Sequence, residues 1–270
     1  MNNFIQRTIS GAILISIIIA SILFHSYAFA AVFVVICAWC VREFQQLVNT
    51  QQDVNVNMWV ATFGGELLFL CSYFYASGIF AYQWIYAVYI VYVMAVFIWE
   101  LFRKQPNPIN NWAYFVLGQI YVAVPFSLLN FILFAAGYNP IILLSIFVII
   151  WTNDTAAYLC GVTFGKHRLF ERISPKKSWE GFIGGAVFSL VSGYVFSLLI
   201  PEISLLHWLI LSEIVVVFGT FGDLIESLMK RTLNVKDSGN AIPGHGGLLD
   251  RFDSMLFAAP VVFVYLMFLF

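Results

Sequence analysis

Residues 227–253 decide how this chain is read: Ser227-Leu-Met-Lys230-Arg231, then Lys236-Asp237, then Pro243-Gly-His245-Gly-Gly247-Leu-Leu-Asp250-Arg251-Phe-Asp253. Cations, carboxylates and glycines lie between two apolar runs, at about 205–229 and 249–270. Each run has the length that crosses a bilayer as a helix. Hydrocarbon cannot solvate such groups, so ionisable residues placed there are candidates for function.

Outward from this stretch the chain stays apolar. Hydrophobic residues make up 61% of it and charged residues 10%, against about 25% charged in soluble domains. Further apolar runs lie at about 8–24, 27–48, 58–76, 82–102, 112–134, 140–164 and 179–200. The expected fold is therefore all-α, a polytopic integral membrane protein with about nine transmembrane helices. Residues 1–140 would hold five helices and little motif content; residues 141–270 would hold four more and the motif-bearing loops. Arg7, the run after it and Ala28-Phe29-Ala30 resemble a signal peptide with its cleavage site, but the run is read as a retained helix.

Charge sets the expected orientation. With nine helices, all 13 Lys and Arg fall on or near one side, that of the N-terminus and the loops after the second, fourth, sixth and eighth runs. The positive-inside rule makes that side, and the N-terminus, cytoplasmic. The site would open to the cytoplasm from the cell (inner or plasma) membrane. A formal net charge of -1 excludes general nucleic-acid affinity, which needs a basic surface. Cys37-x-x-Cys40 has neither a second pair nor histidines nearby, and reads as buried packing.

The polar residues suggest phosphate chemistry. Asp223, Glu226, Ser227 and Lys230 recur at three- and four-residue spacings, which places them on one helical face. Asp223 would lie roughly 10 Å below Lys230 along the axis. The alternative is a structural ion pair of Lys230 with Asp223 or Glu226. Gly244, His245, Gly246 and Gly247 lead into the last run, where glycines and a helix N-terminus suit a phosphate. Asp250 with Asp223 forms a candidate Mg²⁺ site, since this ion takes one or two carboxylates plus water and substrate phosphates. Asp253 is either a further metal ligand or a helix cap. Asp154 either joins the cavity, with room for a second cation, or makes a structural hydrogen bond. Lys176, Lys177 and Ser178 are candidates for a triphosphate or lipid phosphate. Lys166 and Arg168 read equally well as topological charge. His25 and His207 are expected at the interface and His167 in a solvated loop. Ala157, Gly161, Gly165, Gly181 and Gly185 read as close helix packing.

Residue by residue, the opening stretch resembles the signature of the phosphatidate cytidylyltransferases, or CDP-diacylglycerol synthases. That pattern is Ser-x-x-Lys-Arg, four residues, Lys-Asp, then Pro-x-His-Gly-Gly-x-x-Asp-Arg-x-Asp. Ser227, Lys230, Arg231, Lys236, Asp237, Pro243, His245, Gly246, Gly247, Asp250, Arg251 and Asp253 fill its fixed positions. A second block, Asn153-Asp154, Tyr158, Gly161, Gly165-Lys166 and Ser174-Pro-Lys176-Lys177-Ser178-Trp179-Glu180-Gly181, is similar too, with Ser178 where the family more often has Thr. The resemblance covers roughly the C-terminal half. It implies CTP and phosphatidate as substrates, a membrane-embedded site and a homodimer. It also implies that Asp223, Asp250, Lys230 and Arg251 act on the reacting phosphates, with Ser227, Arg231 and Lys236 binding them. A phosphate monoester is largely ionised at neutral pH, so no general base is expected and His245 would position phosphate or loop.

Two rival readings fit the residues less well. The CDP-alcohol phosphotransferases, other membrane enzymes of lipid phosphates, carry Asp-Gly-x-x-Ala-Arg followed by Gly-x-x-x-Asp-x-x-x-Asp, and no such run occurs here. An ion-coupled transporter would also explain intramembrane carboxylates, but related halves of the kind transporters show are not apparent.

Overall fold

The computed structural model describes residues 3–241 and 246–270. The chain is helical almost throughout, as the apolar runs require: in hydrocarbon only a helix satisfies its own backbone groups. The helices are α1 (Asn3–Phe24), α2 (Ser26–Val48), α3 (Met58–Ala76), α4 (Ile85–Arg103), α5 (Pro108–Gly118), α6 (Val124–Leu133), α7 (Pro140–Phe164), α8 (Trp179–Leu199), α9 (Leu205–Thr232) and α10 (Asp253–Met267). Six described segments are long and apolar enough to cross a membrane: Ser26–Val48, Ile85–Arg103, Pro108–Leu133, Pro140–Phe164, Trp179–Leu199 and Leu205–Thr232. Thr8–Phe24 and Asp253–Met267 are shorter apolar helices. The protein is a polytopic all-α membrane protein.

Side chains set several boundaries. Asn57 caps α3 by accepting from the amides of Trp59 and Val60, at 3.0 and 3.1 Å. His25 caps α2 in the same way, through the Tyr27 amide. Pro108 begins α5, where its missing N–H costs nothing. Between α5 and α6 the helix widens into a π-turn, Gln119–Ala123, and the Val124 amide donates to Gln119 five residues back. Pro125 explains the widening, because its ring has no N–H and would crowd the carbonyl four residues earlier in a regular helix.

Cα packing divides the chain into two compact units. The first comprises Met1–Pro140 and Leu233–Phe252. Its core is aromatic, with Phe29, Phe33, Phe44, Phe69 and Phe126 fully buried. The returning segment is anchored there by Phe252, which lies edge-on to Phe33 at 6.5 Å and 5.3 Å from Phe126. Cys37 and Cys40 are free thiols buried in this core.

The second unit comprises Ile141–Thr232 and Asp253–Phe270. Small residues let its helices close on one another. A Cβ on Gly181 would lie 2.7 Å from the Ala157 carbonyl, and one on Gly185 3.2 Å from that of Asn153, so α8 meets α7 almost backbone to backbone. Between α7 and α8 the polar stretch forms a short antiparallel hairpin, β1 (Arg168–Phe170) and β2 (Ser174–Ser178), which had been expected as loop. The last apolar run also differs from expectation. Leu249–Arg251 is a separate 3₁₀ turn in the first unit, and the regular helix begins at Asp253.

Candidate active site

The second unit encloses a cavity of about 620 Å³, a size typical of small-molecule sites. Asp154 of α7, Asp223 of α9 and Lys176, Lys177 and Ser178 of β2 line it. The apolar part of the wall includes Val162, Leu169 and Phe182. The wall thus combines charged side chains with an apolar face.

Asp223 is held by two side chains. Its Oδ2 lies 2.5 Å from the Lys177 ammonium, and its Oδ1 accepts from the Ser227 hydroxyl at 3.2 Å. The helical spacing of four places Ser227 directly over Asp223, while the hairpin brings Lys177 from elsewhere in the sequence. Asp253, at the start of α10, lies within electrostatic reach of both Asp223 and Asp154. Glu226 is fully buried and pairs with Lys230 at 3.3 Å. The expected polar stripe thus resolves into two pairings on α9, Asp223 with Ser227 and Glu226 with Lys230.

Ser178 lines the cavity but also has a structural task. Its hydroxyl accepts from the Gly181 amide at 3.1 Å and caps α8. Glu180 fastens the hairpin by accepting from the amides of Lys166 and His167, and His167 Nδ1 lies 2.6 Å from Glu180 Oε1. His167 is exposed as expected, yet it is held rather than loose.

In the first unit, the returning segment is organised by two carboxylates. Asp250 accepts from the Ser238 amide at 3.0 Å and the Gly247 amide at 2.9 Å. Glu43 of α2, only 2% exposed, accepts from the Leu249 amide at 2.8 Å and the Ser238 hydroxyl at 3.4 Å. Gly246 has φ +85°, a backbone state that glycine adopts freely and side chains resist. Of the expected phosphate-binding residues, Arg231 and Lys236 are exposed, whereas Gly244 and His245 lie outside the described residues.

Comparison with known proteins identifies the family. The model of the cytidylyltransferase family matches residues 5–269. The chain belongs to the cytidylyltransferase family. Among its curated relatives, the phosphatidate cytidylyltransferase of Haemophilus influenzae is 32% identical over 280 residues, covering 94% of this chain and 96% of that one. The phosphatidate cytidylyltransferase of Bacillus subtilis is 37% identical over 193 residues, 71% of this chain and 70% of that one. The Staphylococcus haemolyticus protein of that name is 48% identical over 118 residues, 43% of this chain and 45% of its own.

Within a cytidylyltransferase-family chain, the donor set can be tested for a divalent cation. Among the described residues, no three His, Cys, Asp or Glu side chains form a ready-made metal cage. Asp154 and Asp223 nevertheless line one cavity, with Asp253 in electrostatic reach of both. Mg²⁺ commonly uses one or two carboxylates and completes its shell with water and substrate phosphates. These residues fit that mode of binding, and the close Lys177 ammonium shows that Asp223 already attracts positive charge.

The sequence left one contributor to these structures open and hid another. Arg168, balanced between topology and ligand binding, lines the cavity beside the lysines. Glu43 went unremarked inside an apolar run, although an acid at such a position is itself a signal.

Proposed function

We propose that this protein transfers the cytidylyl group of CTP to phosphatidate, yielding CDP-diacylglycerol and pyrophosphate. The observation that carries the reading is the single cavity in which Asp154, Asp223, Lys176 and Lys177 meet an apolar wall. The names of relatives aligned over most of the chain support it.

In this reading an oxygen of the lipid phosphate forms the new bond to the α-phosphorus of CTP. The bond from that phosphorus to the bridging oxygen breaks, and the electron pair leaves with pyrophosphate. The attacking group has a second pKa near 6 and is largely ionised at neutral pH, so no side chain need abstract its proton. The obstacle is repulsion between anions. Lys176, Lys177 and Arg168 offset it within the cavity, while Lys230, Arg231, Lys236 and Arg251 are the motif residues that the resemblance assigns to phosphates. Mg²⁺, held by Asp223 with Asp154 or Asp253, would supply further charge neutralisation on the phosphates. The direct test supplies purified protein in mixed micelles with CTP and phosphatidate. CDP-diacylglycerol should form, and diacylglycerol in place of phosphatidate should give none. Equal product from diacylglycerol would contradict the assignment.

We further propose nine crossings of the cell membrane, with the N-terminus and the site on the cytoplasmic side, because the Lys and Arg residues then share one face. Single cysteines introduced as Lys176→Cys and Asn240→Cys should react only with reagent on the cytoplasmic side. Ser204→Cys should react only from outside. Labelling of positions 176 and 204 from the same side would overturn this topology.

A further inference from the structure

We propose that Glu43, a residue of α2 far in sequence from every motif, is a positioning residue for the reaction, acting through the segment that carries Asp250. Glu43 Oε2 accepts from the Leu249 amide at 2.8 Å and the Ser238 hydroxyl at 3.4 Å, while Oε1 accepts from the Trp39 indole at 3.2 Å. Its carboxyl group thus binds the segment on both flanks of residues 242–245. Asp250 binds the same flanks, through the Ser238 and Gly247 amides. The glycines record how close this packing is. A Cβ on Gly239 would lie 2.6 Å from Glu43 Oε1, and one on Gly247 2.7 Å from Glu43 Oε2. Both carboxylates therefore hold Ser238 on one flank and a nearby amide on the other, Leu249 for Glu43 and Gly247 for Asp250, so displacing Glu43 displaces the backbone that orients Asp250.

The anchor is suited to this role because it is buried and has fixed partners. Hydrogen bonds to a carboxylate are stronger than neutral ones, and an amide left unpaired in a buried place is costly. Replacing Glu43 with Gln preserves shape but turns one acceptor oxygen into a donor NH₂. That group must then face the N–H of either Leu249 or Trp39.

The inference rests on the transferase reading for its activity arm alone. Glu43→Gln, monodisperse in detergent, should show faster amide hydrogen exchange across residues 238–249 than the parent protein. Its kcat should fall about 10- to 100-fold, the range seen when groups that orient a site's ligands are removed. KM for phosphatidate should remain within about twofold, because the lipid cavity is untouched. A purely structural role would instead lower the folded fraction and leave the folded protein's kcat unchanged. Unchanged exchange in 238–249, or faster exchange with kcat retained, overturns the proposal. Should Glu43→Gln fail to fold, Ser238→Ala removes one anchor hydroxyl and should speed the same exchange with a smaller fall in kcat. Parental exchange and kcat in Ser238→Ala would then count against it. If the parent protein forms no CDP-lipid, the transferase reading fails, and the exchange comparison alone decides the anchor.

Discussion

Asp223→Asn should reach the membrane and fold like the parent chain, yet lose about 100- to 1000-fold in turnover, the scale on which a single preorganised electrostatic group acts. The substitution is nearly isosteric, and the amide oxygen can still accept from the Ser227 hydroxyl. What disappears is the charge that Lys177 approaches to 2.5 Å. Without it the cavity retains Lys176, Lys177 and Arg168 but loses the carboxylate that, in the proposed function, would hold a cation. Raising Mg²⁺ should restore part of the rate if Asp154 and Asp253 retain residual affinity. Activity within about threefold of the parent at ordinary Mg²⁺ would remove Asp223 from the chemistry, since even a modest loss of electrostatic stabilisation exceeds that. The kinetics should be accompanied by a melting curve in detergent, where a shift of only a few degrees is expected.

Gly247→Ala should be nearly as damaging, for a different reason. The added methyl would sit 2.7 Å from Glu43 Oε2 and 2.8 Å from the Gly239 amide nitrogen, with the Ser238 hydroxyl closer still. Neither backbone nor a doubly bonded carboxylate moves cheaply, and overpacking of this kind costs about 1–3 kcal/mol. The loop should yield before the helices do, because its anchors are a few hydrogen bonds while the core is aromatic. Activity should therefore fall at least about tenfold, by the same loss of orientation expected when supporting groups are removed. Hydrogen exchange should rise in residues 238–250 and stay unchanged in α2 and α3. Gly246→Ala offers a comparison: at φ +85° its penalty is backbone strain of about 1–2 kcal/mol. Parental kcat in Gly247→Ala would show that the loop is only a linker.

The glycine loop also shows how far the sequence could be read. Clustered glycines suggested a backbone that approaches a phosphate closely. They could not settle what is approached, because absence of a Cβ is silent about the neighbour. At Gly246 and Gly247 the neighbours include the protein's own Asp250, Asp237, Ser238 and Glu43. Asp250 is similar: its spacing suggested a metal ligand, while its contacts in the structure include two loop amides. The stripe on α9 was legible because helical geometry alone brings residues four apart together. The Lys177–Asp223 pair was not, since it depends on a hairpin whose charged strands lack an alternating apolar pattern. The six long apolar helices were plain from hydrophobic runs, whereas the count of nine rests on the sequence alone. The break before α10 was hidden in such a run, because hydropathy does not distinguish a 3₁₀ turn from the start of an α-helix. Glu43 was obscured for the same reason, as one acid averaged into an apolar stretch.

The central claim is a cytidylyl transfer, and the fate of each phosphorus in CTP tests it most directly. Purified protein should be given phosphatidate and Mg²⁺ with CTP labelled in the α-phosphate, and in parallel with CTP labelled in the γ-phosphate. The account predicts that the α label enters lipid in step with CDP-diacylglycerol, while the γ label leaves entirely as pyrophosphate. Label in lipid from γ-labelled CTP, or lipid product formed without release of pyrophosphate, would contradict it.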